Sequence, residues 1–355
     1  MKMSRFKSNP YTLSFGLIPP EYISRVTEKD KIIKQIQSIP PLSHCFITTG
    51  VRGSGKTVML TSISKTFENK DDWIVIELNP EDDLREALVA KLYTSAKIKH
   101  LFLEKNFNFS FQGFSFSLIG KNPVLNVDDL LEKMLDAIKK QRKKVLVLID
   151  EVTNNEEMKK FSLSFQILIR KEASLFLLAT GLYENRSALE NEKNLTFLIR
   201  SPKTFLSPLN ITSIAPSYEK TIGLSTNEEA MKCAKLTKGY AFSFQLSGYL
   251  LFEDKSKTLD KKVLNALDQY LAEYVYQKIW DSLTNIEKKI VSNFDSNSSK
   301  PIKEILDNNS MSKQYFSRYR DRLLKKGIFV SPSRGRLSFA LPRFKEFIDN
   351  NKIYE

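Results

Sequence analysis

The residues best suited to chemistry form a glycine-rich run, Gly50-Val51-Arg52-Gly53-Ser54-Gly55-Lys56-Thr57. Glycines allow tight turning and let backbone N–H groups approach phosphate oxygens without a Cβ in the way. Lys56 is placed to reach the β- and γ-phosphates of a nucleotide, and the hydroxyl of Thr57 to bind Mg²⁺. An apolar stretch precedes the run, and the helical pattern that follows adds its N-terminal dipole. The pattern predicts binding of ATP and Mg²⁺ by a loop whose contact residues are Gly50, Arg52, Gly53, Ser54, Gly55, Lys56, Thr57 and Val58.

An acidic pair follows further along the chain. Asp150 ends the apolar run Val145–Ile149, where its carboxylate is placed to hold Mg²⁺ directly or through water. Glu151 comes next, and a carboxylate beside the metal can polarise water for attack on the γ-phosphate. Alone, such a pair can equally be a helix N-cap. After a glycine-rich run it predicts a Mg²⁺-dependent ATPase, with Lys56 and Glu151 as catalytic residues and Thr57 and Asp150 as metal ligands.

A threonine at the end of the next apolar run is a further candidate. Thr180 precedes Gly181, and its hydroxyl is placed either to orient the attacking water or to touch the γ-phosphate. A threonine that merely ends a strand beside a turn is an equally good interpretation.

Short apolar runs alternate with helical patterns up to residue 209. This alternation predicts βαβ units and a mostly parallel sheet. The predicted strands are Cys45–Thr49, Trp73–Leu78, Val145–Ile149, Leu175–Thr180 and Lys203–Leu206. A phenylalanine-rich stretch at about 106–118 instead alternates with period two around a glycine turn. It predicts a β-hairpin insertion whose aromatic face packs on the domain or forms a self-association surface.

Charge and composition limit the classes of function. The chain has 55 Lys+Arg against 41 Asp+Glu, a net charge of +14, which favours a polyanionic partner or anionic surface. A basic protein from a lysine-rich proteome would show the same excess. The two cysteines and two histidines argue against a disulfide framework, a zinc site or histidine-based catalysis. The N-terminus lacks the apolar core of a signal peptide, and no apolar run reaches the roughly 18 residues of a membrane span, so we expect a reducing cytoplasm.

Together these motifs resemble the AAA+ ATPases, in the branch of archaeal origin-recognition initiators and bacterial ATP-binding proteins like them. Besides the glycine-rich run and Leu148–Glu151, the matching residues are Asn9-Pro10, Phe15-Gly16, Pro19-Pro20, Arg25, Ala179-Thr180-Gly181-Leu182, Leu206-Ser207-Pro208-Leu209, Gly239-Tyr240 and Phe244-Gln245. The resemblance covers most of the chain. It implies an α/β P-loop NTPase fold: a five-stranded parallel AAA+ core in residues 1–209, a helical lid in 210–279 and a C-terminal winged helix-turn-helix in 280–355.

The resemblance also implies an arginine that acts on the ATP of a neighbouring subunit. Arg200, just before the fifth predicted strand, stands in that position; a solvated arginine at a helix end is the alternative. Subunits would then assemble into a homo-oligomer when ATP bridges them. Two features depart from the family. The lid segment Gly239–Leu246 has no arginine to sense the γ-phosphate, and Ser24 precedes Arg25 where glycine is more usual.

Residues 280–355 have a pattern of their own. Thr284 opens a helix with a capping box, Pro301 suits the start of a second, and Ser310 is expected to cap a third. Two short apolar stretches then flank the basic segment 331–336. Three helices and a basic-tipped hairpin predict a winged helix-turn-helix.

The charge of this C-terminal region suggests duplex DNA as its partner. Its 15 Lys+Arg against 9 Asp+Glu give +6, the highest excess per residue in the chain. The predicted DNA contacts are Lys313, Ser317, Arg318 and Arg320 on the third helix with Arg334 and Arg336 at the wing. A solvated basic face is the alternative. Winged helices also bind proteins, so three hypotheses stay open: an ATP-hydrolysing DNA-binding switch, a STAND-type signalling or defence ATPase, and a nucleotide-dependent adaptor that rarely hydrolyses ATP.

Overall fold

The structure is a computed structural model that describes residues 7–14, 16–103, 126–193, 195, 197–224, 226–294 and 298–352. The chain forms two compact units. One, called the sheet unit, contains residues 26–49 and 56–205; the other, the helical unit, contains residues 1–25, 50–55 and 206–355. The hairpin predicted at about 106–118 lies outside the described residues.

The sheet unit is built on five parallel strands in the order β2-β3-β4-β1-β5. The strands are β1 (Cys45–Thr49), β2 (Trp73–Leu78), β3 (Lys144–Ile149), β4 (Leu175–Gly181) and β5 (Lys203–Phe205). Each agrees with its predicted bounds to within one residue, and the predicted α/β P-loop NTPase fold is confirmed. Every residue of β1 and β4 is buried, because these inner strands are covered on both faces.

Helices cover both faces of this sheet. They are α1 (Val26–Gln37), α2 (Lys56–Glu68), α3 (Leu84–Thr94), α4 (Lys99–Leu103), α5 (Val127–Lys140), α6 (Glu156–Arg170), α7 (Tyr183–Glu190) and α8 (Phe197–Arg200). Alternate strand residues face opposite sides. On one side Val147 and Leu177 join the large apolar core with α3, α5 and α6. On the other, Phe67 of α2 packs on Trp73 with ring centroids 4.5 Å apart, and Trp73 on Phe176 at 5.2 Å.

The first part of the helical unit is an α-helical bundle that also holds the N-terminal segment. Its helices are α9 (Ile211–Ile222), α10 (Asn227–Leu236), α11 (Ala241–Glu253), α12 (Lys261–Leu271) and α13 (Gln277–Asp281), with a π-helical turn Ala272–Tyr276 between the last two. The hydroxyl of Tyr11 hydrogen-bonds to Thr221, and its ring lies where a Cβ on Gly248 would meet it at 2.5 Å. Tyr11 of the N-terminal segment, which was assigned to the ATPase core by sequence, therefore packs with these helices.

The second part of the helical unit combines helices with a small antiparallel sheet. Its elements are α14 (Asn285–Ser292), β6 (Lys300–Pro301), α15 (Ile302–Asn309), α16 (Lys313–Lys325), β7 (Phe329–Val330), β8 (Arg336–Phe339) and α17 (Phe344–Lys352). Strand β8 lies between β6 and β7. Three helices followed by a hairpin is the element order predicted for a winged helix-turn-helix.

The cap of α16 differs from its prediction. Ser310 ends α15 in the left-handed conformation, with φ 51°, because the tight turn between the two helices needs a residue in that region. An N-cap must instead be extended, and Ser312 meets this condition: its hydroxyl oxygen accepts the N–H of Tyr315 at 3.3 Å.

One apolar core runs through both parts of the helical unit. Tyr240, Leu246 and Leu271 belong to the same buried cluster as Ile290 and Phe344. The boundary predicted near residue 279 thus crosses a continuous core, and the division into a lid and a C-terminal domain stays a prediction.

Both cysteines are buried, Cys45 in the sheet unit and Cys233 in the helical unit, and neither forms a disulfide. Burial raises the pKa of each thiol to about 11. Across the described part of the chain, the helices are all too short or too polar to cross a membrane.

Candidate nucleotide-binding site

Thr57 of α2 and Asp150 after β3 are in direct contact within the sheet unit. The hydroxyl of Thr57 donates to Asp150 Oδ2 at 2.7 Å. Because the strands are parallel, their carboxyl ends share one edge, and Asp150 lies at that edge next to the end of β4. Hydroxyl and carboxylate oxygens are the ligands that Mg²⁺ prefers. The structure therefore brings together the two residues predicted to hold the metal.

Lys56 opens α2 immediately before Thr57. Its side chain lies largely inside the protein, with a relative exposure of 6%. Lysines are rarely buried unless their ammonium group meets acceptors, and the start of a helix adds a positive dipole that attracts anions. Both properties suit a position beside phosphate groups.

The loop Gly50–Gly55 joins β1 to α2. Gly53 and Gly55 have φ of 75° and 88°, a left-handed conformation that glycine adopts without steric cost. The N–H of Ser54 donates to the carbonyl of Val51 at 3.1 Å and closes a turn. The Ser54 hydroxyl is buried and finds no hydrogen-bond partner within the described ranges, which is a feature expected of a loop built around an anion.

Thr180 holds both members of the acidic pair. Its hydroxyl donates to Asp150 Oδ1 and accepts the N–H of Glu151 at 3.2 Å, and its carbonyl accepts the N–H of Val152 at 2.8 Å. Glu151 has φ 55°, a left-handed conformation that costs a non-glycine residue about 1–2 kcal/mol. The contacts with Thr180 offset part of that cost and fix the direction in which the Glu151 side chain leaves the backbone.

These contacts were not part of the role predicted for Thr180, which concerned water and the γ-phosphate. A threonine hydroxyl has one proton, and here that proton goes to Asp150. Thr180 is 1% exposed, and its hydroxyl contacts these two neighbours; its action on water or on the γ-phosphate stays a prediction. The sequence could not reveal these contacts, because the choice of acceptor depends on the packing of β3 against β4.

Arg200 belongs to the sheet unit and Arg25 to the helical unit. Arg200 is exposed at the end of α8, shortly before β5. In the helical unit, the guanidinium of Arg25 donates to the carbonyl of Ser207 at 2.9 and 3.2 Å. Its Nη1 lies 3.4 Å from the point where a Cβ on Gly55 would be. The roles of both arginines stay predictions.

Two residues of the predicted lid segment contact the glycine-rich loop, and sequence analysis did not foresee this. The hydroxyl of Tyr240 donates to the carbonyl of Arg52 at 2.5 Å, and the N–H of Phe242 donates to the carbonyl of Gly53 at 3.0 Å. The resemblance to a lid drew attention to Tyr240, but no spacing rule connects residues so far apart in sequence.

The candidate DNA contacts fall on α16 and on the hairpin of β7 and β8. Lys313, Arg318 and Arg334 are exposed. Arg320 is half-buried and pairs with its neighbour Asp321 at 2.9 Å, and Ser317 is also half-buried. Arg336 donates to the hydroxyl oxygen of Ser299 at 2.9 Å and to the carbonyl of the same residue. Arg336 is therefore held where β8 begins, whereas Arg334 lies in the loop between β7 and β8.

Comparisons with known proteins agree with this fold. The KAP family P-loop domain matches residues 27–180, and a Domain of unknown function (DUF8462) matches residues 273–348. The chain is similar in structure to the ORC2 protein of Aeropyrum pernix in its ADPNP-ADP complexes, with a TM-score of 0.58 and 13% identity over 96% of this chain and 98% of that one. It is also similar to the Walker-type ATPase PABY2304 of Pyrococcus abyssi, with a TM-score of 0.59 and 13% identity over 92% and 96%. No curated protein matches the sequence.

At this level of identity a structural likeness shows the fold alone. The chain carries a P-loop NTPase domain, as the glycine-rich run predicted, and the same architecture occurs in a protein whose structure contains adenine nucleotides.

Proposed function

We propose that the protein is a Mg²⁺-dependent ATPase that acts as an AAA+ molecular switch. The observation that carries the proposal is the contact between Thr57 and Asp150, with Glu151 directly beside it. A hydroxyl at the start of the helix after a P-loop and a strand-end Asp are the groups that hold Mg²⁺ in such NTPases. The buried Lys56 and the left-handed glycines of the loop support the same reading.

Each residue would have a distinct task. Thr57 and Asp150 would hold the metal ion, which when bound neutralises charge on the β- and γ-phosphates. Lys56 would pair with the same phosphates, and the backbone N–H groups of the loop would bind their oxygens. Glu151 would orient the attacking water and accept its proton. Thr180 would keep the carboxylates of Asp150 and Glu151 in position.

Nucleotide binding tests the first part of the proposal. Lys56→Ala removes the charge that faces the phosphates, and hydrogen bonds to charged groups contribute about 1.5–3 kcal/mol each, so affinity should fall about ten- to a hundredfold. The measurement is titration with a fluorescent ATP analogue in the presence of Mg²⁺. Lys65→Ala, an exposed lysine on the same helix, is the matched control and should bind as the wild type does. Equal binding by the Lys56 variant would contradict the proposed site.

We further propose that the C-terminal region binds duplex DNA. The +6 charge of residues 280–355 (15 − 9), the element order and the exposed Lys313, Arg318 and Arg334 support this. With α16 in the major groove, Lys313, Arg318 and Arg334 would contact phosphates, and Ser317 and Arg320 would face base edges. Arg336, which is hydrogen-bonded to Ser299, would contribute positive charge at the wing and help to hold the shape of the wing.

Salt dependence tests DNA binding. The full chain is titrated against a labelled duplex by fluorescence anisotropy at several salt concentrations, because the C-terminal core includes residues outside 280–355. Affinity should fall steeply with salt, and Lys313→Ala should weaken binding to all sequences about equally and lower the salt slope by about 1. Arg320→Ala should instead relax the preference at one base position by about 1–3 kcal/mol. Lys289→Ala, an equal loss of charge on α14, is the control.

A STAND-type signalling or defence ATPase is the second candidate. Tyr315 of α16 and Val330 of β7 are large apolar residues that are 44% and 43% exposed, which favours a protein partner for this region. Absence of DNA binding at 50 mM salt, with and without ATP, would favour this candidate over the first.

Assembly through nucleotide is the last part of the proposal. The exposed Arg200 would reach the ATP of a neighbouring copy and stabilise charge as the γ-phosphate is transferred, which makes a homo-oligomer the active form.

A further inference from the structure

Within the helical unit, two consecutive carbonyl groups of the glycine-rich loop accept hydrogen bonds from Tyr240 and Phe242. The Tyr240 hydroxyl binds the Arg52 carbonyl at 2.5 Å, and the Phe242 N–H binds the Gly53 carbonyl at 3.0 Å. In a trans peptide the C=O and the following N–H point in opposite directions. Holding the carbonyl of Arg52 therefore fixes the direction of the N–H of Gly53, which a phosphate-binding loop must aim correctly. Holding the carbonyl of Gly53 fixes the next peptide, whose N–H, on Ser54, closes the turn to Val51.

Tyr240 is built into this position. It is 6% exposed and stacks on Tyr276 with ring centroids 6.5 Å apart. A Cβ on Gly53 would collide with its hydroxyl, so the close approach of the ring requires glycine there. Burial raises the pKa of Tyr240, and the hydroxyl stays a protonated donor over the physiological range.

The same short segment also contacts the C-terminal sheet. Lys238 donates to the carbonyls of Phe339, in β8, and Leu341 at 3.0 and 3.5 Å. The hydroxyl of Tyr276, whose ring stacks on that of Tyr240, donates to the carbonyl of Pro342 at 2.5 Å. Val51 of the glycine-rich loop packs against the core to which Phe339 and Leu341 belong. Residues 238–242 thus connect the loop to the strand that forms the wing.

We propose that residues 238–242 position the phosphate-binding loop and transmit its nucleotide state to the wing, with Tyr240 and Lys238 as the positioning residues. This inference rests on the proposed function, because it needs ATP at the loop and DNA at the C-terminal region. Binding of phosphate redirects loop N–H groups and so turns the peptides whose carbonyls Tyr240 and Phe242 hold. The two nucleotide states then differ in their contacts with the lid, and a difference in contacts is what shifts an equilibrium.

This mechanism differs from one in which a lid arginine contacts the γ-phosphate directly. The segment Gly239–Leu246 has no arginine, so the lid residues named here read the loop backbone instead of the nucleotide. A change of loop conformation would thereby be transmitted to the lid, although the segment Gly239–Leu246 has no cationic side chain that could contact the phosphates.

The test compares DNA affinity with and without ADPNP in the full chain, for wild type and Tyr240→Phe. In wild type the nucleotide should change the dissociation constant by at least about fivefold, a typical coupling. In Tyr240→Phe, which loses one hydroxyl and keeps the ring, that factor should fall towards one, while DNA affinity without nucleotide stays within about twofold. A general loss of structure would lower DNA affinity both with and without ADPNP. It would not remove only the ratio between these two affinities. Tyr270→Phe, the same change on α12, is the control and should keep the full factor.

Hydrogen exchange gives a second readout that does not need DNA. ADPNP should alter amide exchange at residues 336–341 in wild type but not in Tyr240→Phe or in Lys238→Met. The Lys238 variant keeps the test decisive if the tyrosine variant does not fold. Wild-type-like coupling in both variants, or a wild type that binds both ligands without coupling, would overturn the inference and leave the proposed function standing. Absence of ADPNP binding in wild type would overturn both.

Discussion

Replacing Thr180 by valine removes one hydroxyl from the edge where β3 and β4 end, at nearly constant volume. That hydroxyl donates to Asp150 and accepts from the N–H of Glu151, in a position that is 1% exposed. A hydrogen bond to a charged group contributes about 1.5–3 kcal/mol, and the left-handed backbone of Glu151 costs about 1–2 kcal/mol that its N–H bond helps to offset. Unfolding free energy should therefore fall by about 2–3 kcal/mol.

The catalytic consequence follows from the same contacts. Without the Thr180 hydroxyl the backbone N–H of Glu151 loses that acceptor, so the direction of the Glu151 side chain is held less firmly. A loss of about 1.4–2.8 kcal/mol of positioning lowers kcat about ten- to a hundredfold. KM should stay within about threefold, because Lys56 and Thr57 are unchanged and Thr57 still binds Asp150.

Steady-state ATP hydrolysis and thermal unfolding measure these effects. Thr180→Ser keeps the hydroxyl and should retain most of the rate. Thr48→Val is the matched control, since Thr48 of β1 lies beside Thr180 in the sheet, is 2% exposed and has a hydroxyl without a partner among the described residues. A Thr180→Val protein with the wild-type kcat, or a Thr48→Val protein equally impaired, would refute the positioning role.

Two other predictions concern assembly and pH. Arg200→Ala should spare ATP affinity and abolish the rise of specific activity with protein concentration, a rise of roughly 10³-fold or more in the best cases for such an arginine. The exposed Arg170→Ala should keep that rise. A wild type whose activity is independent of concentration would refute action in trans. Burial alone would raise the pKa of Glu287, but the N–H of Thr284 and the buried Lys326 outweigh it and hold the pKa below its usual value. The stabilisation is thus present above the unfolded pKa of about 4.3 and is lost as pH falls through the folded value. In denaturant unfolding, Glu287→Gln should therefore lower the free energy of unfolding by about 3 kcal/mol at pH 7 and by progressively less below pH 4. A difference between variant and wild type that does not change with pH would contradict this.

The sheet unit was predictable from sequence because its signals are local. A buried parallel strand is a short apolar run between helical patterns, and the run that ends at Ile149 differs from the observed strand β3 by one residue. The meeting of Thr57 with Asp150 followed too, since strand ends in a parallel sheet share one edge.

Long-range packing was not predictable in the same way. Tyr11 packs against Gly248, and Tyr240 is hydrogen-bonded to Arg52. Both contacts join segments that are remote in sequence, so no regular spacing of residues predicts them. The hydroxyl of Thr180 had several chemically reasonable acceptors, and only the register of β3 against β4 selects Asp150. A similar limit applies to Ser310 and Ser312, where the length of one turn decides which serine caps α16.

The rate of ATP hydrolysis by Glu151→Gln tests the central claim most directly. The variant keeps the shape of the side chain and removes the charge that accepts the proton of water. With Mg²⁺ present it should bind ATP within about threefold of wild type and lose at least about a hundredfold in kcat, as the removal of a general base does. Glu156→Gln, an exposed glutamate at the start of α6, should hydrolyse ATP normally. Hydrolysis by Glu151→Gln at the wild-type rate would contradict the account.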